Sequence, residues 1–248
     1  MPINVIKSHK QNRGAFDNGL IQERKPIAFL NEQPVLKPFS TLFYWAHAWS
    51  LHGGIIAEHP HRGFEICTFV LEGAIEHYDS KTNAWIGLEA GDAQIIRAGS
   101  GIRHAEKIKA GGRIFQIWFD PNLKQSLGAE PSYDDFPASS FAVSEGLGIR
   151  TQTLVGYGSP LRMDTHTRIR RVQFQKGQHV LPLTPGYQAG ALLIEGTINL
   201  GNADLACYDF ATLTDELDPT VDTNEVADLF IVEVPYPAPY ETFAESRT

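Results

Sequence analysis

The sequence predicts an all-β protein organised as two domains. Short runs rich in Val, Ile, Phe, Tyr and Trp recur along the chain, and Gly, Asp, Asn and Pro separate them. Many short strands with turn residues between them are typical of β-sandwiches and β-barrels. No long stretch shows the apolar period of about 3.6 residues that indicates an amphipathic helix. The 248 residues suit one large domain or two domains of about 100–150 residues.

Each predicted strand is an apolar run bounded by a glycine or a polar turn. In chain order the predicted strands are 42–49, 65–73, 74–80, 92–99, 113–120, 169–177, 190–201, 209–214 and 228–235. The best helix candidate is 121–130, where Pro121 suits a first helical turn and Gly128 suits a helix end.

A polar segment divides the chain. The stretch "AEPSYDDFPASS" at 129–140 is rich in turn residues and lacks strand signals. One pattern lies on each side of it, as "FVLEGAIE" at 69–76 and as "LLIEGTIN" at 192–199. A single short match is weak evidence of duplication, but the chain length also favours two similar domains. We therefore expect an N-terminal domain at 1–128, a linker or covering loop at 129–147 and a C-terminal domain at 148–248.

Composition argues against several classes of partner. The net charge of −8 and the lack of a Lys/Arg cluster oppose binding to nucleic acid or to anionic membranes. No apolar run approaches the ~20 residues of a membrane span, and the N-terminal stretch lacks the apolar core of a signal peptide. The two cysteines, Cys67 and Cys207, are too few for a disulfide framework, and Cys67 is expected to be a buried apolar filler. We expect a soluble, cytoplasmic protein.

Two residue pairs suggest a metal site. His59 and His61 are two residues apart, and so are His104 and Glu106. Side chains at that spacing in a strand point to the same face, so each pair can contact one ion. The alternative for an isolated His-x-His is two polar residues at a strand edge. Three imidazoles and one carboxylate suit a divalent transition ion with open positions for substrate, and iron, manganese, nickel, copper and zinc all fit.

The segments that carry these pairs resemble one family. "HPHRGFEICTFVLEGAIEHYDS" (59–80), "AGDAQIIRAGSGIRHAE" (90–106) and "FQIWFD" (115–120) are similar to the pirins, a bicupin branch of the cupin superfamily. The resemblance implies two cupin-type β-barrels that face each other, with one metal in the N-terminal barrel. It implies Fe(II) as the ion and, as its ligands, His59, His61, His104 and Glu106.

Several neighbouring residues have more than one interpretation. Glu65 follows His61 by four residues, so a straight strand would aim it at the metal, and we expect it to support the ligands rather than to bind the ion. Gln116 is an equally good candidate for such a supporting role or for core packing. The isolated His77 is expected to have a surface or core role. His179 has no ligand partner, so the C-terminal barrel is expected to be degenerate and metal-free.

Three functions are consistent with these features. The first is a dioxygenase that cleaves quercetin-like flavonols or related aromatic enols with O2, as the resemblance implies for several bacterial relatives, with Glu106 as the catalytic base. The alternative is a non-enzymatic, iron-dependent redox sensor or regulator that binds a protein partner. A weaker third interpretation is an isomerase or hydrolase that uses a redox-inert metal.

Overall fold

The computed structural model describes residues 3–215 and 217–247, and it confirms the all-β prediction. The chain forms two compact units. The first unit contains Asn12–Ser139 and Tyr240–Thr248, and the second contains Met1–Gln11 and Ser140–Pro239. Among the described residues no helix has the length and apolar character needed to cross a membrane.

The first unit consists of two antiparallel sheets. A seven-stranded sheet has the order β12-β9-β6-β11-β4-β3-β2, and a four-stranded sheet has the order β5-β10-β7-β8. The strands are β2 (Asn12–Phe16), β3 (Ile21–Ile27), β4 (Leu42–Trp49), β5 (Gly54–His61), β6 (Glu65–Glu72), β7 (Ala74–Asp79), β8 (Trp85–Glu89), β9 (Ala93–Arg97), β10 (Ile102–Ile108), β11 (Arg113–Phe119) and β12 (Ser132–Phe136).

The second unit repeats this plan. Its seven-stranded sheet has the order β1-β20-β17-β22-β15-β14-β13, and its four-stranded sheet has the order β16-β21-β18-β19. The strands are β1 (Asn4–Ile6), β13 (Ala142–Gly146), β14 (Ile149–Val155), β15 (Arg168–Phe174), β16 (Gly177–Val180), β17 (Tyr187–Glu195), β18 (Thr197–Leu200), β19 (Ala203–Ala206), β20 (Phe210–Leu213), β21 (Thr220–Thr223) and β22 (Ala227–Pro235). In both units the hydrogen-bonded sheets of the described residues remain open rather than closing into the expected barrels.

The helix prediction at 121–130 was too long. The structure forms one α-helical turn, α1 (Leu123–Ser126), and short 3-10 turns at Ser8–Lys10, Asp17–Gly19, Leu30–Glu32, Ala138–Ser140 and Glu245–Arg247. The side chain of Asn122 accepts a hydrogen bond from the backbone N–H of Lys124 and so caps the turn at its start. No apolar stripe extends beyond this turn to stabilise a longer helix.

The segment 129–147 contributes edge strands. β12 pairs with β9, and β13 pairs with β14, each at one margin of a seven-stranded sheet. An edge strand has one side open to solvent, so it needs fewer apolar residues than a central strand. That is why this polar stretch shows little strand signal although it is largely paired.

The repeated Glu-Gly pattern forms the same turn in both units. Gly73 joins β6 to β7 with φ +66°, and Gly196 joins β17 to β18 with φ +82°. A Cβ at Gly196 would lie 2.5 Å from the carbonyl oxygen of Val226. The glycine is therefore required both by the left-handed backbone and by the close approach of another segment. Around these turns pack separate apolar cores, with Ile75, Val70 and Ile114 in the first unit, for example.

The turn predicts a specific stability loss. Gly196→Ala is expected to lower the free energy of unfolding by about 2 kcal/mol or more, because the new methyl group meets a backbone carbonyl and the φ angle is strained. Gly146→Ala is the matched control, since nothing lies within 4 Å of its added Cβ. Urea unfolding of both variants makes the comparison, and equal losses would contradict the role assigned to Gly196.

The C-terminal segment is anchored to the first unit by Asp120. The Asp120 carboxylate accepts backbone hydrogen bonds from Phe243 and Ala244, and the Tyr240 hydroxyl donates to the Asp120 carbonyl over 3.0 Å. Burial raises the pKa of the Asp120 carboxyl to about 6, and the two backbone donors oppose that rise. Ionisation of Asp120 is thus unfavourable in the folded protein although its hydrogen bonds hold the segment in place.

This raised pKa predicts a pH-dependent contribution to stability. The folded protein holds the Asp120 proton more tightly than the unfolded chain does, so the contribution is fully present below about pH 4 and is lost as pH rises through about 6. Asp120→Asn keeps an acceptor but cannot ionise. The stability of wild type relative to this variant should therefore fall by about 2 kcal/mol between pH 4 and pH 7. Urea unfolding at a series of pH values measures the difference, and a constant difference would contradict the assignment.

Candidate metal centre

The register of β5 against β10 brings three histidines together. His59 lies directly opposite His104, and His61 lies opposite Ile102. The two-residue period of β5 places His59 and His61 on the same face of the sheet. The register shifts between His104 and Glu106, which is the mark of a β-bulge. Both predicted pairs therefore lie on adjacent strands.

The three imidazoles converge through their Nε2 atoms. The His61 and His104 Nε2 atoms are 2.8 Å apart, and those of His104 and His59 are 3.0 Å apart. The His59 Nδ1 atom lies 2.8 Å from the carbonyl oxygen of Ala57, so Nδ1 carries the proton and Nε2 presents a lone pair. Two nitrogens bound to one ion at about 2.1 Å and at right angles are about 3.0 Å apart. The observed spacing fits that arrangement.

Burial keeps the histidines in their ligand form. Burial lowers the pKa of His61 to about 3, and the neighbouring His59 lowers it further. Burial also lowers the pKa of His104 well below its usual value, as do the surrounding histidines. Neutral imidazole is the form that binds a metal, so these side chains need not lose a proton at neutral pH to do so.

Glu106 is buried beside His104. Burial raises the pKa of its carboxyl to about 7, and hydrogen bonds from Gln116 (2.7 Å) and Thr68 (3.5 Å) oppose the rise. The potential ligand atoms form two groups, each within 4.8 Å: His59, His61 and His104 in one, and His77, His104 and Glu106 in the other. His104 belongs to both groups, so His59, His61 and Glu106 each lie close to this residue, but Glu106 does not share one group with His59 and His61.

His77 is the residue that sequence reasoning missed. It lies opposite Glu106 on β7 and is fully buried. Its Nδ1 atom is 3.3 Å from Gln94 Nε2, and its Nε2 atom is 3.5 Å from the carboxylate of Asp79. Tyr133 stacks on its ring at 4.5 Å. Burial lowers the pKa of His77 to about 4, although Asp79 raises it. The two-residue spacing of His77 and Asp79, which places both side chains on one face of a strand, was the sequence signal that could have identified this residue.

Gln116 is held in one orientation between Trp118 and Glu106. The Trp118 indole N–H donates to Gln116 Oε1 over 3.2 Å, which leaves the Gln116 amide N–H to donate to Glu106. The Trp118 ring also meets the His61 ring edge-on at 4.7 Å. Trp118 thus contacts His61 directly and is linked to Glu106 through Gln116. Gln116 thus contacts the predicted ligand Glu106, and a supporting role for it stays a prediction.

Glu65 does not follow the straight-strand expectation. The chain turns between β5 and β6, with Gly63 at φ +83°, so His61 and Glu65 do not lie on one continuous strand. The alternation of side chains between the two faces of a strand therefore cannot be extended from His61 to Glu65. Thr68 contacts Glu106, and Glu65, three residues earlier on the same strand, lies on the opposite face of β6. There its carboxylate is 3.8 Å from the Arg97 guanidinium. A role for Glu65 in supporting the ligands stays a prediction.

Cys67 lies on the same face of β6 as Glu65. The residue is fully buried, and burial raises the pKa of its thiol well above the usual value. A protonated, buried thiol is a poor nucleophile and a poor metal ligand.

An aromatic wall adjoins the three histidines. It consists of Phe29, Phe43, Tyr44, Phe64, Trp118 and Phe243. Phe43 stacks on Phe64 at 4.6 Å, and Phe29 stacks on Tyr44 at 4.4 Å. The wall reaches the centre where Trp118 meets His61. It gives this side of the site an apolar surface suited to a planar ring.

The second unit has apolar residues at the corresponding positions. We aligned the two Glu-Gly turns and followed the strand registers from them. Five polar residues around the candidate centre then correspond to five residues in the apolar core of the second unit. In the order Thr68, His77, Gln94, Glu106 and Gln116, the counterparts are Ala191, Leu200, Ala211, Val221 and Ile231. These side chains offer no metal ligand. Within the described residues both candidate ligand groups lie in the first unit.

Comparisons with known proteins agree on one family. The Pirin family model matches residues 20–119. A pirin-like protein of Caulobacter vibrioides is 32% identical over 71% of this chain and 75% of its own length. A Pseudomonas aeruginosa protein named "Putative quercetin 2,3-dioxygenase" is 30% identical over 89% of this chain and 95% of its own length. A bacterial pirin of Escherichia coli, solved in complex with nickel(II), is 23% identical, with a TM-score of 0.77 over 94% of this chain and 99% of its own, which shows the shared fold.

The Trp118–Gln116–Glu106 contacts predict an effect on metal affinity. Trp118→Phe keeps the ring beside His61 but removes the N–H that orients Gln116, so metal affinity should fall by about tenfold. Trp85→Phe is the matched control, because Trp85 is partly exposed on the outer strand β8 and contacts Lys107. Competition titration against a metal-binding dye gives both affinities. Equal affinities in the two variants would show that the indole N–H has no such role.

Proposed function

Because this chain belongs to the pirin family, we propose that it is a mononuclear metal dioxygenase acting on quercetin-like flavonols or related aromatic enols. The observation that carries the proposal is the approach of the His61 and His59 Nε2 atoms to within 2.8 and 3.0 Å of the His104 Nε2 atom, with the buried carboxyl group of Glu106 close to His104. The name of the Pseudomonas aeruginosa relative supports the substrate class. The proposed site belongs to the first unit, and the second unit is proposed to be metal-free.

The proposed ligands are His59, His61, His104 and Glu106. Histidines combined with a carboxylate and open positions are typical of non-haem Fe(II) oxygenases, so Fe(II) is the proposed ion. Manganese, nickel, copper and zinc accept the same donors, and metal analysis of the purified protein distinguishes them. When bound, the ion supplies a Lewis-acidic open position and the redox chemistry that dioxygen requires.

Glu106 is proposed as the base for the substrate. The Glu106 carboxyl has a pKa of about 7 without a bound ion, and its carboxylate is the group placed to take the proton of an acidic enol or phenol. Gln116 and Thr68 donate to it and hold its oxygens in place. Since both donors favour the ionised form, they prepare the carboxylate to accept a proton that the buried surroundings then retain.

The aromatic wall is proposed to bind and orient the substrate. Trp118 and Phe64 form its part nearest His61, and their rings can pack against the planar rings of a flavonol. This packing also excludes water from the reacting atoms. His59 is only half-buried, which places the entry to the site on its side.

Oxygen uptake tests the proposal. Anaerobically iron-loaded wild type mixed with quercetin is expected to consume oxygen as the flavonol disappears. His104→Ala should lose both bound iron and uptake by at least about 100-fold, because His104 belongs to both candidate ligand groups. His52→Ala is the matched control, since His52 is exposed outside the centre, and it should behave like wild type.

The outcomes separate the competing functions. Full uptake by His104→Ala would contradict the assigned ligands. No uptake by wild type with iron demonstrably bound would contradict the dioxygenase and favour the iron-dependent sensor or protein-binding regulator. A redox-inert metal in the purified protein, with no oxygen consumption, would favour an isomerase or hydrolase.

A further inference from the structure

The second unit contains a cavity of about 380 Å³ on the wall that corresponds to the aromatic wall of the first. We call it the arginine pocket and define it by Tyr157, Arg168, Arg170, Thr184, Pro185 and Glu233. It belongs entirely to the second unit and takes no part in the proposed dioxygenase chemistry. Its volume lies within the ~300–1,000 Å³ range of small-molecule sites.

The strand registers relate the two walls residue by residue. In the first unit Tyr44 lies opposite Trp118 on β4 and β11. The same positions on β15 and β22 are Arg168 and Glu233. An aromatic pair in one unit is therefore replaced by two charged residues in the other. The Glu233 side chain is buried and therefore needs a partner, whereas Arg168 is exposed and keeps its charge in contact with water.

Glu233 and Arg170 form a fixed, neutral pair. The Glu233 side chain is almost fully buried, and its Oε2 atom is 2.9 Å from Arg170 Nη2. Its Oε1 atom accepts a 2.6 Å hydrogen bond from the backbone N–H of Thr184. Arg170 Nη2 also donates to the carbonyl of Pro182 over 2.8 Å. These bonds hold the Arg170 guanidinium in place and cancel its charge locally.

Arg168 is oriented but not neutralised. It precedes Arg170 by two residues on β15, so both side chains lie on the same face of the sheet. Its Nη1 atom donates to Thr184 Oγ1 over 3.2 Å, and its guanidinium lies over the Tyr187 ring at 5.3 Å. In the described part of the chain no carboxylate forms an ion pair with Arg168. One uncompensated positive charge therefore remains in the pocket.

The remaining lining is largely apolar. Next to the charged groups lie Val155, Pro182, Leu183 and Pro185. Such surfaces favour an uncharged body attached to the anion, since they gain from leaving water. Inorganic phosphate lacks that body and carries more charge than one free guanidinium offsets.

We propose that the arginine pocket binds a small organic monocarboxylate with an apolar or aromatic body. The Arg168 guanidinium would hold the carboxylate through paired N–H donors, and the proline and leucine side chains would contact the body. The positive charge of Arg168, the apolar lining and the cavity volume all favour the same ligand class.

Ligand titration followed by NMR or calorimetry tests the pocket on the metal-loaded protein. Benzoate is the probe, and it should bind saturably. Benzyl alcohol, which lacks the charge, and inorganic phosphate, which lacks the apolar body, should bind at least about tenfold more weakly. Arg168→Ala should weaken benzoate binding by about tenfold or more. Arg168→Lys keeps the charge but not the paired donors, so its affinity for benzoate should lie between those of wild type and Arg168→Ala.

Two controls separate this site from the rest of the protein. Arg150→Ala removes an exposed arginine of the neighbouring strand β14 that pairs with Glu145, and it should leave benzoate binding unchanged. His104→Ala should also keep benzoate binding, because the metal centre is not the site of the probe. Absence of saturable binding to wild type, equal binding of phosphate, an unaltered Arg168→Ala or a loss in His104→Ala would each overturn the proposal.

Discussion

The candidate centre depends on the register of β5 against β10. Pairing His59 with His104 places His61 on the same face and brings the His61 and His59 Nε2 atoms to 2.8 and 3.0 Å from the His104 Nε2 atom. A shift of one residue would turn the β5 side chains to the opposite face and separate them. Burial of His61 and His104 lowers their pKa values and keeps both neutral.

Around this centre the buried polar groups are ordered by their neighbours. Trp118 orients Gln116, and Gln116 donates to Glu106. On the other side Tyr133 donates to Gln94, whose amide contacts Thr68 and His77. A buried carboxylate without such donors would be costly, so the donors make it tolerable while burial still raises its pKa. Because each group is held by the next, a change at Trp118 is expected to reach the metal through two hydrogen bonds.

The two units show how one backbone plan supports different chemistry. Both have a seven-stranded and a four-stranded sheet and the same glycine turn after the same apolar strand. In the second unit the interior positions are apolar, and the wall that is aromatic in the first unit carries Arg168 and Glu233. Strand pairing thus specifies where a site can form, and the side chains at a few register positions decide what it can bind.

The sequence by itself determined the all-β class, most of the central strands and the two candidate ligand pairs. These features are local, because strand periodicity and a two-residue spacing can be counted along the chain. Only the tertiary structure decided which face Glu65 takes, since the turn at Gly63 interrupts the count, and that β1 pairs with β20 far along the chain. It also decided that His77 lies beside Glu106 and that Trp118 orients Gln116. Those contacts join different strands, and their partners depend on a register that no local pattern encodes.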